Sequence, residues 1–168
     1  GTLTAGTLNL LGAGNVGSLA NRINTTVNTI VLGKFGGDTF VNESGAVNLQ
    51  GTSAGGNVDV VANGAITLAG VLNLGAGSAT LDSTTISLAG FDLTGGTVTL
   101  NHSGLANSGA GRVNATTLAL NGNGDVGSSG TRFNTTVGRI VLTKSAGNTF
   151  LNEADAVNVD GLAPTLDL

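Results

Sequence analysis

The sequence predicts an all-β fold, namely a right-handed parallel β-helix (β-solenoid) of about eight coils. Three observations predict it: a long internal duplication, short strand-like segments that recur along the chain, and a composition rich in glycine but poor in aromatic residues. Repeats of this kind form a quasi-one-dimensional stack, in which each unit buries its apolar face against its neighbours. We therefore expect residues 1–168 to form one elongated domain, a solenoid shaft, rather than a compact enzyme built around a pocket.

The duplication relates residues 15–51 to residues 125–161. The two segments are displaced by 110 positions without a gap, and about 21 of 37 positions carry the same residue. Because the same environment calls for the same residue, we expect duplicated residues to occupy the same angular position in different coils. Phe40 with Phe150 and Arg22 with Arg132 test this expectation. We also expect the duplicated asparagines to cap corners or to form short amide ladders; these are Asn24, Asn134, Asn42 and Asn152.

Strand signals recur from one end of the chain to the other. Apolar residues alternate with Thr, Ser, Asn or Asp, and a period of two indicates a strand. The corners between them contain Gly or Asn, which supply the positive φ of a sharp turn. An apolar-polar-apolar-x-Gly element recurs 19 and then 20 residues apart, which suits one coil, and no segment shows helical periodicity. The strand-like segments are 8–10, 47–49, 58–60, 66–68, 86–88, 98–100 and 157–159.

The composition restricts both the core and the partners. Apolar residues make up 40% of the chain and charged residues 10%, which is too hydrophobic for a solvated disordered segment. Five phenylalanines are the whole aromatic supply, so the core must consist of small aliphatic layers. The net charge is −4 and the six basic residues are dispersed, which removes the electrostatic basis for binding nucleic acid or anionic membranes. We recognise neither a membrane-spanning run nor a signal peptide.

Both duplicated segments share an order of motifs. Gly-x-Val-Gly-Ser is followed by Asn-Thr-Thr-Val-x-x-Ile-Val-Leu, then by Thr-Phe-Val/Leu-Asn-Glu and Ala-Val-Asn-Leu/Val. This order resembles the repeats of filamentous-haemagglutinin-like bacterial exoproteins. Residues 52–124 resemble those repeats only in their short alternating segments and lack the order of motifs. The resemblance implies a right-handed parallel β-helix that serves as the shaft of a giant adhesin, secreted to the bacterial cell surface by two-partner secretion or as an autotransporter.

The same resemblance implies the partners. They are glycans or proteins on host or neighbouring cells, together with adjoining coils of the same longer polypeptide. We expect Gly1 and Leu168 to be cut surfaces of such a polypeptide, each exposing an edge that can pair with another chain. The resemblance implies no enzymatic activity.

Two glycine motifs fit the dinucleotide-binding fingerprint G-x-G-x-x-G. The first is Gly12-Ala-Gly-Asn-Val-Gly17 and the second is Gly122-Asn-Gly-Asp-Val-Gly127. The fingerprint must open a helix whose first amides meet the pyrophosphate, yet each motif runs into an Asn- and Thr-rich strand. We therefore interpret both motifs as glycine corners between coils and predict no cofactor.

Other candidate sites are isolated. Calcium-binding repeats need a carboxylate in every turn, and residues 75–82, which end at Asp82, approach that pattern once. Glu43 and Glu153 stand beside Asn in each copy, and we interpret them as corner residues that accept hydrogen bonds from backbone amides. His102 is the only histidine and lacks partners for a metal site or a triad, so we predict an exposed or corner position. We predict no metal site.

Two alternatives to a shaft remain. A β-helix carbohydrate-active enzyme needs paired carboxylates, which coil stacking can supply, for example by bringing Asp82 near Asp59. A calcium- or ice-binding solenoid needs a regular Asp or Thr-x-Thr ladder, whereas residues 2–4 and 97–99 are isolated Thr-x-Thr elements. The shortage of aromatic platforms for sugars weakens the first alternative, and we predict no catalytic residue.

Overall fold

The molecule is a stack of parallel β-coils without a helix, which confirms the predicted all-β solenoid. The computed structural model describes residues 1–168, and all pairs between its 15 strands are parallel. The strands are β1 (Thr2–Gly12), β2 (Ile23–Lys34), β3 (Thr39–Glu43), β4 (Val47–Ser53), β5 (Val58–Ala62), β6 (Ile66–Asn73), β7 (Ala79–Ser83), β8 (Ile86–Ser87), β9 (Leu93–His102), β10 (Ala106–Asn107), β11 (Val113–Gly122), β12 (Phe133–Lys144), β13 (Asn148–Glu153), β14 (Asn158–Leu162) and β15 (Thr165–Asp167).

One ladder of facing residues runs through the whole molecule, from Thr2 to Leu162. It crosses nine strands, so the chain makes about eight coils between its ends, and a strand spacing of about 4.8 Å gives a rod of roughly 40 Å. A parallel ladder from Thr39 to Val159 covers 120 residues in six steps, or 20 residues per coil. The nine positions are Thr2, Asn24, Asn42, Val61, Asp82, Asn101, Asn121, Thr143 and Leu162.

The core is a narrow column of aliphatic side chains, as the composition predicts. It holds 30 buried hydrophobic residues, and Phe133 is the only aromatic residue among them. Alternation along each strand places these side chains inside and the Thr, Asn and Asp side chains outside, as in the buried-intermediate-buried pattern of β5 and β7. The buried side chains of each coil pack against those of the coils above and below it. A short alternating pattern, repeated in every coil, is therefore enough to form the core.

Gly51 and Gly161 show why the corner element of the sequence ends in glycine. Their φ angles are 115° and 98°, in the left-handed region that only glycine adopts without strain. A Cβ at either position would lie 2.0 Å from the carbonyl oxygen of the preceding coil, at Leu32 and Leu142 respectively. The backbone of successive coils therefore approaches too closely at these corners for any side chain.

The prediction that duplicated residues share an angular position is wrong. Phe40 lies next to Thr39, in the ladder that continues through Val58 and ends at Val159. Phe150 lies next to Thr149, in a different ladder that joins Val47, Ile66, Ile86, Ala106, Val126, Thr149 and Leu166. The reason is the coil length, because 110 residues at about 20 per coil make five and a half coils rather than a whole number.

What the copies keep is their local pairing. Ile23 faces Val41 in the first copy, and Phe133 faces Leu151 in the second. The amide ladders predicted from the sequence are present in both, since Asn42 donates to Asn24 at 3.0 Å and Asn152 donates to Asn134 at 2.9 Å. The duplicated sequence thus forms the same contacts between neighbouring coils in both copies. The two sets of contacts lie on different faces of the rod.

Candidate functional site

The two glycine fingerprints form corners and do not open helices. Gly12 ends β1, Gly17 has a φ of 70°, and the chain then enters β2. The carbonyl of Gly14 accepts a hydrogen bond from the Nζ of the buried Lys34 in the next coil. The second motif repeats the arrangement, with the carbonyl of Gly124 accepting a hydrogen bond from Lys144. In each motif, a lysine side chain from the next coil therefore contacts the middle glycine. The interpretation of both motifs as glycine corners between coils is confirmed.

Glu43 and Glu153 accept hydrogen bonds from backbone amides, as predicted. Glu43 accepts from the N–H of Val27 at 3.0 Å and of Gly45 at 3.1 Å, and Glu153 accepts from the N–H of Val137 at 3.2 Å. These carboxylates hold the corners that follow β3 and β13 and are engaged within the fold. Their role in both copies is structural.

Arg22 joins three successive coils and binds the carboxylate of Asp59. Its guanidinium donates to the carbonyl of Val41 in the next coil, and to both carboxylate oxygens of Asp59 in the coil after that, at 3.0 and 2.7 Å. The guanidinium also lies 6.0 Å from the ring centre of Phe40. A bidentate pair of this kind is among the strongest side-chain contacts in proteins.

Arg132 also joins three coils in the second copy, through one backbone carbonyl and one carboxylate. It donates to the carbonyl of Leu151 at 2.9 Å and forms an ion pair with Asp167 at 2.7 Å. Asp59 and Asp167 are 108 positions apart rather than 110, so the local unit continues past residue 161 with two residues fewer. An alignment of the two copies without gaps does not detect the correspondence between Asp59 and Asp167.

The suggested pairing of Asp82 with Asp59 is not formed. In the register between β5 and β7, Asp59 faces Thr80 and Asp82 faces Val61. The carboxylate of Asp59 is bound by Arg22, so it is not available as the second carboxylate of a hydrolytic pair. No group of three or more His, Cys, Asp or Glu side chains is arranged to hold a metal ion.

Asp82 instead begins a polar ladder on the outside of the rod. The amide of Asn101 donates to its carboxylate at 3.4 Å, and the amide of Asn121 donates to Asn101 at 2.8 Å. The ladder borders an open groove of about 430 Å³, which Ser83, Thr84, Asn101, His102 and Ser103 also line. Because the lining is mostly amide, hydroxyl and carboxylate, the groove matches ligands with many hydroxyl groups better than apolar ones.

The sequence already contains the signal for this ladder. Each of its three polar residues directly follows an inward-facing leucine, and the spacing is one coil. Sequence reasoning considered Asp82 only as a calcium ligand or an acid and did not align the coils, so it missed Asn101 and Asn121.

His102 occupies a corner, as predicted, but it is buried rather than exposed. Its residual exposure is 4%, Nδ1 donates to the carbonyl of Gly104 at 2.7 Å, and Nε2 has no partner. Burial lowers the pKa of His102, and the charge of Lys144 acts in the same direction, while the bond to Gly104 and the charge of Asp125 oppose both. Burial likewise lowers the pKa of Lys144, against the charge of Asp125.

Nothing among known protein families, curated proteins or solved structures matches this chain. Since the chain contains no helix, none is present with the length and hydropathy to cross a membrane.

Proposed function

We propose that this chain is a shaft and binding surface of a large secreted bacterial adhesin, acting at the bacterial cell surface. The observation that carries the proposal is the ladder of nine facing positions from Thr2 to Leu162, which makes the molecule a continuous rod. Parallel backbone ladders resist bending and proteolysis because their backbone groups are hydrogen-bonded to the coils above and below. The motif order shared by residues 15–51 and 125–161 supports the adhesin assignment through its resemblance to haemagglutinin-like repeats.

Attachment by such a rod is multivalent. The outward Thr, Ser and Asn side chains recur at each coil, so a glycan or protein on an opposing cell can make many weak polar contacts at once. The groove beside Asp82 and Asn101 is one such surface with a polar lining, and we propose it as the place where hydroxyl-rich surface glycans bind.

The test is adhesion of beads coated with the purified chain to epithelial and bacterial cells, with soluble glycans as competitors. We expect Asp82→Ala with Asn101→Ala to weaken attachment about tenfold, since the two changes remove the groove's polar ladder. Asn48→Ala, the same kind of change in an exposed position of β4, should leave attachment unaltered. Equal adhesion by all three proteins contradicts the groove assignment, and absence of adhesion by the unaltered chain contradicts the binding role.

The alternative of a carbohydrate-active enzyme is tested in the same samples. Release of reducing sugar from bound polysaccharide, lost in Asp82→Ala, would favour it over an adhesin. We expect no release, because the register leaves Asp82 without a facing carboxylate.

A further inference from the structure

Asp82 makes fewer contacts than almost any other acidic residue of the chain. Its Oδ2 accepts one long hydrogen bond, at 3.4 Å from the amide of Asn101, and it forms no ion pair. A carboxylate can accept about four hydrogen bonds, so Asp82 keeps acceptor capacity that the fold does not use. Apart from Asp155, the other acidic side chains all pair with an arginine or accept a hydrogen bond from a backbone N–H; these are Asp38, Glu43, Asp59, Asp92, Asp125, Glu153, Asp160 and Asp167.

The groove beside Asp82 runs along the axis of the rod. It is lined by the ends of four successive strands of one ladder, β5, β7, β9 and β11, and by the corners that follow them. At about 4.8 Å per coil, these four strands span roughly 14 Å. The groove volume of about 430 Å³ lies within the range of small-ligand sites. The groove therefore fits a short linear oligosaccharide whose chain lies parallel to the axis.

The lining of the groove carries a negative charge and no positive one. Asp82 is its only acidic residue, and neither lysine nor arginine lines it. Burial lowers the pKa of His102, so this lining imidazole is neutral at pH 7. Lys144 acts on His102 through its charge, but it is 7% exposed, its Nζ donates to the carbonyl of Gly124, and it does not line the groove. A ligand in the groove therefore meets a carboxylate that no cation neutralises.

The rest of the lining provides neutral polar groups. The amide of Asn121 donates to Asn101 at 2.8 Å, and that of Asn101 donates to Asp82, so both amides point toward the carboxylate. Exposed amides and hydroxyls along the groove can bond to sugar hydroxyl groups; they belong to Asn63, Thr84, Ser103 and Asn123. No aromatic residue lines the groove. Selectivity among glycans therefore depends on the charge of Asp82 rather than on stacking.

We propose that this groove selects linear glycans that carry a free amino group, such as oligomers of deacetylated hexosamine, and that Asp82 binds the ammonium. An ammonium offers three N–H donors to a carboxylate with unused acceptor positions. A hydrogen bond between charged groups is roughly twice as strong as one between neutral groups. Glycans with carboxylate or sulfate groups are disfavoured, because no cation in the groove compensates for their repulsion by Asp82. This inference rests on the proposed glycan-binding role of the groove and adds its selectivity.

Calorimetric titration of the full chain with three tetrasaccharides tests the selectivity. The three share a β-1,4 linkage and differ in the substituent next to the anomeric carbon, which is an ammonium, an acetylated amine or a hydroxyl. We expect the ammonium form to bind about tenfold more tightly than the two neutral forms at low salt. The preference should shrink as salt screens the charge. Equal binding of all three, or tighter binding of a neutral form, overturns the selectivity alone, whereas no binding of any form overturns the glycan groove as well.

Two matched substitutions locate the charge that gives the preference. Asp82→Asn keeps the shape of the side chain and one acceptor oxygen but removes the negative charge, so the ammonium and hydroxyl forms should bind within about twofold of each other. Asp155→Asn removes the same charge from the other carboxylate without an arginine or backbone N–H partner, and Asp155 lies outside the groove. It should leave the preference intact. Equal loss of the preference in both variants overturns the assignment to Asp82.

A positive charge added to the groove should reverse the preference. Thr84 is exposed in the lining, and Thr84→Lys brings an ammonium of the chain itself close to Asp82. We expect this variant to bind the ammonium tetrasaccharide at least about tenfold more weakly and to gain binding of a tetrasaccharide of uronic acid. An unchanged order of affinities would contradict the electrostatic origin of the selectivity.

Discussion

The two copies of the duplicated segment use the same residues but differ in how well their polar groups are satisfied. Glu43 is 1% exposed, and its Oε2 accepts hydrogen bonds from the hydroxyl of Thr25 at 2.7 Å and the N–H of Val27 at 3.0 Å. In the second copy, Oε2 of Glu153 and the hydroxyl of Thr135 are both without a partner. Glu153 is also more exposed than Glu43.

The difference follows from the coils that cover each copy. β5 stacks over β3 as far as Glu43, which faces Ala62. Over the equivalent β13, β15 faces only the residues from Asn148 to Phe150, so Glu153 has no strand above it. The same sequence thus produces the same local unit, while the neighbouring coil decides how much each contact contributes to stability. Matched substitutions in the two copies should separate these two effects.

The largest difference is expected at the corner glutamates. Glu43→Ala should lower the free energy of unfolding by about 3 kcal/mol, because it leaves the buried Thr25 hydroxyl and two backbone N–H groups without an acceptor. Glu153→Ala should cost about 1 kcal/mol, because water can replace part of what is lost near the open coil. Urea unfolding of both proteins measures the two values. Equal losses would show that coil cover does not matter.

The arginines that join three coils should give the next largest difference. The side chains of Arg22 and Asp59 are 20% and 15% exposed, and those of Arg132 and Asp167 are 33% and 45% exposed. We expect Arg22→Met to cost about 2 kcal/mol and Arg132→Met about 1 kcal/mol, since exposure to water screens the second pair. Double-mutant cycles with Asp59→Asn and Asp167→Asn isolate the pair energies. A larger coupling in the second copy would contradict the account.

Acid should destabilise the chain through His102, which lies in β9 between the two copies. Burial lowers the pKa of His102 below its usual 6.5, so the unfolded chain binds the proton more readily than the folded chain. Stability from this group is fully present above pH 6.5 and is lost as the pH falls from 6.5 through the lowered pKa. Urea unfolding at pH 7.5 and at pH 5 should show this loss in the unaltered chain, with a smaller loss in His102→Asn. An unchanged pH dependence in the variant would contradict the assignment.

The smallest effect is expected at the exposed amide ladders. Asn42→Ala and Asn152→Ala each remove one hydrogen bond at the surface, so each should cost less than about 0.5 kcal/mol. The two values should agree, because both pairs face water to a similar degree. A cost above about 1 kcal/mol at either position would mean that these amides carry more of the coil stacking than their exposure indicates.

Period-two alternation and glycine corners predict the coils correctly because they reflect local rules that every coil obeys. The angular position of the copies depends instead on the coil length, which ranges from 17 residues between Thr149 and Leu166 to 23 between Val126 and Thr149. The 19- and 20-residue spacings visible in the sequence do not reveal this variation. The burial of His102 and the ladder from Asp82 to Asn121 likewise depend on which residues the register stacks together.

Distances between spin labels along the long ladder test the central claim, a single axis along which the coils are stacked. Pairs of labels on cysteines at Asn42 and Asp82, Asn42 and Asn121, and Asn42 and Leu162 are separated by two, four and six coils. At about 4.8 Å per coil, the account predicts backbone separations of about 10, 19 and 29 Å, in linear proportion to the number of coils. Separations that level off or shorten toward Leu162, as in a sandwich or a closed barrel, would contradict it.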